Sequence, residues 1–200
     1  LEETAATDGV LLSEADFQVR ATTLEHVSPV LAYALEPASE LNIRKDRLQA
    51  RGLSPGPWLG ELKRQVQAGE GGARIVLPDG SSERVQALAE ELVLVSPGKK
   101  LVYATDFADT PGNRAGVIAL AHNAHTLFCE STFCEADTDQ ATRTAHLTTR
   151  ACADIAEAAG VARLVPFHFS RRYEKDPAAV YAEIAAASRA VVVPETVVID

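Results

Sequence analysis

Methionine is absent from these 200 residues, and cysteine occurs only three times. A natural reading frame opens on Met, so a chain without one is expected to be a processed product or a fragment of a longer protein. Three cysteines are too few, and the wrong parity, for a disulfide framework, and a reducing, cytoplasmic setting is expected. No uncharged apolar run approaches the roughly 20 residues of a membrane span, and Leu1-Glu2-Glu3-Thr4 does not read as a signal peptide. Cations are the minority sign, with 19 Lys and Arg against 28 Asp and Glu and a net charge of −9. That balance disfavours indiscriminate binding to a phosphate backbone. What remains is an ordinary globular mixture, 46% hydrophobic and 24% charged. It suffices for one domain or two small ones and excludes disorder, collagen or coiled coil as whole-chain descriptions.

Patterning divides the chain in two. Phe17, Val19 and Ala21 alternate with Gln18 and Arg20, the period of a half-buried strand, and Val30–Leu35 is a second strand entered through Ser28-Pro29. His26 lies on the connection between them. Residues 42–51 read as a short helix capped by Asn42 and ended by Gly52, and 58–68 resume helical spacing after Ser54-Pro55-Gly56-Pro57. Arg74–Leu77 with Pro78-Asp79-Gly80-Ser81 predicts a strand and a hairpin turn, and 83–92 a helix. From Lys100 onward strands and helices alternate. Strands are expected near 100–105, 127–129, 164–167 and 190–193, and helices over 113–122, 147–159 and 178–187. That order predicts an α/β layered sheet.

Three of these strands end on a residue able to bind metal or move protons: Asp106, Glu130 and His168. Strand ends at one edge of an α/β sheet lie close together and are where such folds place their sites. His26 and His146, both on connections, can reach the same edge. Taken singly, each has a plainer reading: an Asp after a strand caps a helix or forms a turn, and a lone His is satisfied in a core or at the surface. His122 and His125, beside a helix end, keep that plainer reading. So do Cys129, Cys134 and Cys152, which lack zinc-ribbon spacing.

The words around these residues narrow the choice. Val102-Tyr103-Ala104-Thr105-Asp106, Phe128-Cys129-Glu130-Ser131-Thr132, Ala145-His146-Leu147-Thr148 and Pro166-Phe167-His168-Phe169-Ser170-Arg171-Arg172-Tyr173 occur in one order, after Glu25-His26. Their order and spacing resemble the second half of ribonuclease Z, the tRNA 3′-processing endoribonuclease of the metallo-β-lactamase superfamily. The resemblance covers about residues 16–195, including the Gly-Pro stretch Gly52–Lys63. It implies an α/β fold, the second half of a metallo-β-lactamase-like αββα sandwich. The partial domain would span 1–200, with an inserted arm at 42–95. It implies that His26, Asp106 and His168 are metal ligands, with Asp106 bridging two Zn²⁺, and that Glu130 orients His146 as the acid assisting the leaving 3′ oxygen. Arg172, four residues after His168, takes the place of the family's phosphate contact, where a guanidinium fork suits the geometry. Departures are visible too. The family's Gly-Asp-Thr reads Thr105-Asp106-Phe107 here, its His-Ser-Thr carries Leu147, and its His-Glu-Ala-Thr carries Cys129 and Ser131.

The family's first metal motif, His-x-His-x-Asp-His, has no counterpart among the 25 residues before His26, none of which is histidine. Three ligands of seven then remain. The expectation is a fragment, or a partner chain supplying the rest, with little turnover alone and one sheet face left bare. Residues 42–66 carry a net +4 while the remainder carries −13. In the family this position is an arm gripping the tRNA elbow, so Lys63 and Arg64 become candidate substrate contacts and precursor tRNA the expected partner. Trp58, beside them, is expected to pack the arm's helix rather than stack on a base. Arg163, Arg171, Arg172 and Lys175 form a second possible patch. Family members are commonly homodimers. A superfamily hydrolase of a small ester or phosphodiester, and a non-catalytic fragment, are the competing readings.

Overall fold

The structure, a computed structural model, describes residues 7–193. Residues 1–6 and 194–200, which open and close the domain read from the sequence, lie outside the described residues. The chain divides into two compact units, one running to Ala38 and again from Lys99, the other Ser39–Gly98.

The first unit is built on a seven-stranded sheet. Its strands are β1 (Val10–Ser13), β2 (Phe17–Leu24), β3 (Val30–Pro37), β8 (Leu101–Ala104), β9 (Thr126–Glu130), β10 (Arg163–Phe167) and β11 (Val191–Val192), adjacent in that order. Neighbours from β1 to β8 are antiparallel, and those from β8 to β11 parallel. Parallel neighbours need crossovers. These are α4 (Pro111–Ala121), α5 (Thr138–Thr144) with α6 (Thr149–Ala159), and α7 (Pro177–Ala187). Each long crossover helix starts on a side-chain cap: Thr110 accepts from Asn113 N, Thr148 from Ala151 N, and Asp176 from Ala179 N.

Alternation along the strands decides which face the helices cover. Ala32, Ala34, Val102, Ala104, Leu127 and Cys129 are buried in one cluster with Val117, Leu120 and Ile155 of α4 and α6. Small residues on β3 and β8 let α4 lie close. The opposite face carries Leu31, Tyr33, Leu35 and Tyr103, each 40–45% exposed, with half-buried Leu101, Phe128 and Phe167 beside them. Among the described residues of this unit, none covers this face fully.

The second unit has its own core of Leu48, Trp58, Leu62, Leu88 and Leu92. It contains β4 (Glu40–Ile43), α1 (Lys45–Ala50), α2 (Pro57–Gln67), the hairpin β5 (Arg74–Val76) and β6 (Ser82–Arg84), α3 (Val85–Leu92) and β7 (Val93–Ser96). Here one expectation is corrected. Asn42 does not cap a helix but sits in β4, because Leu41 and Ile43 alternate with Glu40 and Asn42 and pair with β7. The helix begins only at Lys45 and does end at Gly52, whose φ is 66°. Trp58 is buried and donates its indole N–H to the Ser54 carbonyl at 3.1 Å, so it packs the unit's own core.

Candidate active site

The parallel strands deliver their ends to one edge of the sheet. Asp106 follows β8, Glu130 closes β9, and His168 follows β10. His26 lies on the β2–β3 connection, and His146 between α5 and α6. Of the five non-glycine residues with positive φ among the described residues, three fall here: Asp106 at 55°, Ala145 at 60° and His168 at 61°. Such backbone is uncommon for residues with a Cβ and clusters at functional sites. In this chain the left-handed turn falls on Asp106 itself and not on Thr105 before it.

Glu130 is fully buried, and a carboxylate there must be surrounded by donors. It is. Oε1 accepts from Phe107 N at 2.7 Å; Oε2 accepts from Thr132 Oγ1 at 2.8 Å, Leu147 N at 3.1 Å and His146 Nδ1 at 3.0 Å. That contact fixes the His146 ring and leaves Nε2 free. It also raises the His146 pKa above its ordinary value, mainly through the hydrogen bond to Glu130; burial opposes it, and Glu130 and Asp106 add their charge.

His26 is oriented in the same manner by backbone. Its Nδ1 lies 3.0 Å from the Ala145 carbonyl, a group that can only accept, so the proton is on Nδ1 and Nε2 carries a lone pair. Asn113, a buried residue in the first turn of α4 with no functional signature in the sequence, fixes the loop beneath. Its side chain accepts from Glu25 N and donates to the Glu25 and Ala108 carbonyls, each at 2.8 Å. One amide thus ties the His26 loop to the Asp106 loop. An Asn in the first turn of a helix announces no such role, because the groups it holds are backbone.

The side chains converge. The His26 and His146 ring centroids are 4.9 Å apart, those of His146 and His168 5.2 Å, and His168 Nε2 is 3.5 Å from Asp106 Oδ1. Among the described residues, His26, Asp106 and His146 form a group whose ligating atoms all lie within 4.8 Å of one another. Imidazole nitrogens with a carboxylate are a zinc-type donor set, and the residues present fit a divalent cation. Arg172 sits beside this edge, pinned to Asp137 at 2.6 Å and stacked over the Phe133 ring at 5.2 Å.

Other candidates fall elsewhere. Arg163 opens β10 and so lies at the far end of that strand from His168; it does not join Arg171 and Arg172. His125 pairs with Thr126 Oγ1 and His122 with Asn123, before β9 and away from the site. In the second unit Arg64 is paired with Glu61, and Arg51 with Glu83 and Glu91. Lys63, Arg44 and Lys45 have no anionic partner among the described residues.

A domain described as the beta-lactamase superfamily domain matches residues 63–169, and the chain belongs to that superfamily. Within it the chain is a homologue of the ribonucleases Z. It is 34% identical over 167 residues to ribonuclease Z of Deinococcus radiodurans, covering 84% of this chain and 48% of that protein. It is 33% identical over 169 residues to ribonuclease Z of Methanothermobacter thermautotrophicus, covering 84% and 50%. The crystal structure of human tRNase Z, short form, superposes with a TM-score of 0.52 at 18% identity, covering 96% of this chain and 46% of that one. The fold is thus α/β and metallo-β-lactamase-like, and the chain spans about half the length of the curated relatives it matches. No helix among the described residues is long and apolar enough to cross a membrane.

Proposed function

We propose that the chain carries part of the active site of a zinc-dependent phosphodiesterase, an endoribonuclease acting at the 3′ end of precursor tRNA. The observation that carries this reading is the pairing of buried Glu130 with half-buried His146, beside His26, Asp106 and His168 at one sheet edge. His26, Asp106 and His168 would hold the metal, together with further ligands from outside this chain. A bound divalent cation supplies Lewis acidity toward the phosphate and lowers the pKa of water. The protein's own part is positioning and proton transfer. Glu130 holds His146 upright and favours its protonated form, so the imidazole can give a proton to the departing 3′ oxygen. Arg172, already held by Asp137 and Phe133, offers its remaining guanidinium N–H groups to the phosphate.

In this reading the unit Ser39–Gly98 is the arm that grips RNA, with Lys63 a freer contact than Arg64. The bare sheet face is the seat of the second sheet layer of an αββα sandwich. A homodimer belongs to the same reading and is checked by light scattering.

Fluorescence anisotropy with labelled precursor tRNA tests the RNA assignment. Replacing Arg44, Lys45 and Lys63 by Glu is expected to weaken binding by about 10-fold or more, since each phosphate contact adds to affinity. Unchanged affinity removes the RNA reading. The pairing of Arg51 and Arg64 with acids within their own unit favours a second reading, hydrolysis of a small phosphodiester or ester. Turnover of bis(p-nitrophenyl) phosphate without tRNA binding would support it.

A further inference from the structure

We propose that these 200 residues hold a single divalent cation between His26 Nε2, Asp106 and His146 Nε2, so that the imidazole otherwise reserved for proton donation becomes a ligand. The inference rests on the metal-site reading above and changes the roles of two residues in it: in the singly loaded chain His146 is a ligand and His168 is not.

Distance is the first reason. The ligating atoms of His26, Asp106 and His146 lie within 4.8 Å of one another, a span that small side-chain rotations close around one ion. Orientation is the second. A metal-bound histidine almost always engages its other ring nitrogen with a carboxylate or a carbonyl, which fixes tautomer and ring plane. His146 does so with Glu130 and His26 with the Ala145 carbonyl, each at 3.0 Å. His168 has no such rear partner among the described residues; its recorded polar contact is Nε2 with Asp106 at 3.5 Å. Two rings are therefore held ready and the third is not.

Charge is the third reason. Neutral imidazoles contribute none, Asp106 contributes one negative charge at contact, and buried Glu130 contributes a second through His146. Together they balance a divalent ion. Three protein ligands leave one tetrahedral position for water, the arrangement of an open zinc site. They do not suffice for two ions.

One consequence separates this site from the acid role. Nε2 of His146 cannot both bind a cation and carry the proton destined for a leaving oxygen. The singly loaded chain therefore lacks its acid.

The test is titration of the metal-free 200-residue chain with Zn²⁺ followed by long-range ¹H–¹⁵N spectra of the histidine rings, together with Co²⁺ titration read by calorimetry and visible absorption. The expected result is one ion per chain, with Nε2 of His26 and His146 shifting to metal-bound positions and His168 little changed. His146→Gln retains an amide donor toward Glu130 and is expected to lose about 100-fold in affinity; Glu130→Gln loses roughly 10-fold. Each variant is compared by circular dichroism, and the spectra of the unaltered chain decide the question if a variant misfolds. A shifted His168 with unshifted His146, or full affinity in His146→Gln, overturns this inference while leaving the proposed function in place. Full affinity in both His26→Ala and Asp106→Ala overturns the metal-site reading itself.

Discussion

Glu130 is the residue on which the site's chemistry turns, because its two oxygens serve four donors with no solvent to share the work. In Glu130→Gln one oxygen becomes an NH₂ that must face a donor it cannot satisfy. The expected cost is about 3 kcal/mol of stability, read from urea unfolding. The pH profile of the metal-free chain changes as well. The folded-state pKa of His146 is raised, chiefly by Glu130. Its stabilisation is therefore complete below the unfolded value of about 6.5 and is lost as pH climbs through the raised folded value. Removing the carboxylate flattens that decline and moves the His146 ring titration downward, which NMR in chelating buffer measures. A decline of equal slope in the variant would assign it to another group. Cys134 offers an independent residue-scale check. Burial, with Glu183 nearby, pushes its thiol up to about 11, so iodoacetamide at about pH 8 is expected to leave it largely unmodified although it is half-buried.

Elements matter here through the loops they fix. Asn113 opens no reaction, yet it joins the Glu25 and Ala108 backbones from the first turn of α4. Asn113→Ala strands one N–H and two carbonyls. It is expected to cost about 3 kcal/mol and to weaken Co²⁺ binding by roughly 10-fold, as loss of an outer support does. Equal metal affinity in a folded variant would show that the loops hold themselves. This is also where legibility in the sequence stopped. Asp106, Glu130 and His168 were visible because acid/base residues ended three apolar strands. The Ala145 carbonyl that aims His26 has no side-chain signature at all, and Asn113 looks like any first-turn polar residue. Among the elements, α5 carries no helical signal in the sequence because Thr138–Thr144 buries only Ala141, which leaves no apolar period. Asn42 and Ile43, the last two residues of β4, read as the start of a helix because Asn42 resembles a cap; what decides their state is pairing with β7, about fifty residues away in sequence.

At the scale of the whole chain, the described helices of the first unit cover its sheet on one side only. Helices α4, α6 and α7 build a core against Ala32, Ala34 and Val102, while Tyr33 and Leu35 pair across to Tyr103 and Leu101 on the other face. Tyr103 also stacks on Phe167 at 5.1 Å between ring centroids. A contiguous apolar surface of this kind marks an interface or an aggregation liability. The 200-residue chain is therefore expected to bind the dye ANS strongly while retaining its near-UV dichroism, which distinguishes a bare native face from a molten state. Leu35→Lys with Tyr103→Lys should lower the dye signal severalfold and raise the solubility limit. Because both side chains are 40–45% exposed, the change in unfolding free energy should stay within about 1 kcal/mol. Ala34→Lys, one residue away but facing α4, should unfold the chain, since an unpaired charge would enter the helix–sheet core. If the exposed-face pair proves as damaging as Ala34→Lys, the two faces are equally buried in solution and the sheet already has its second layer.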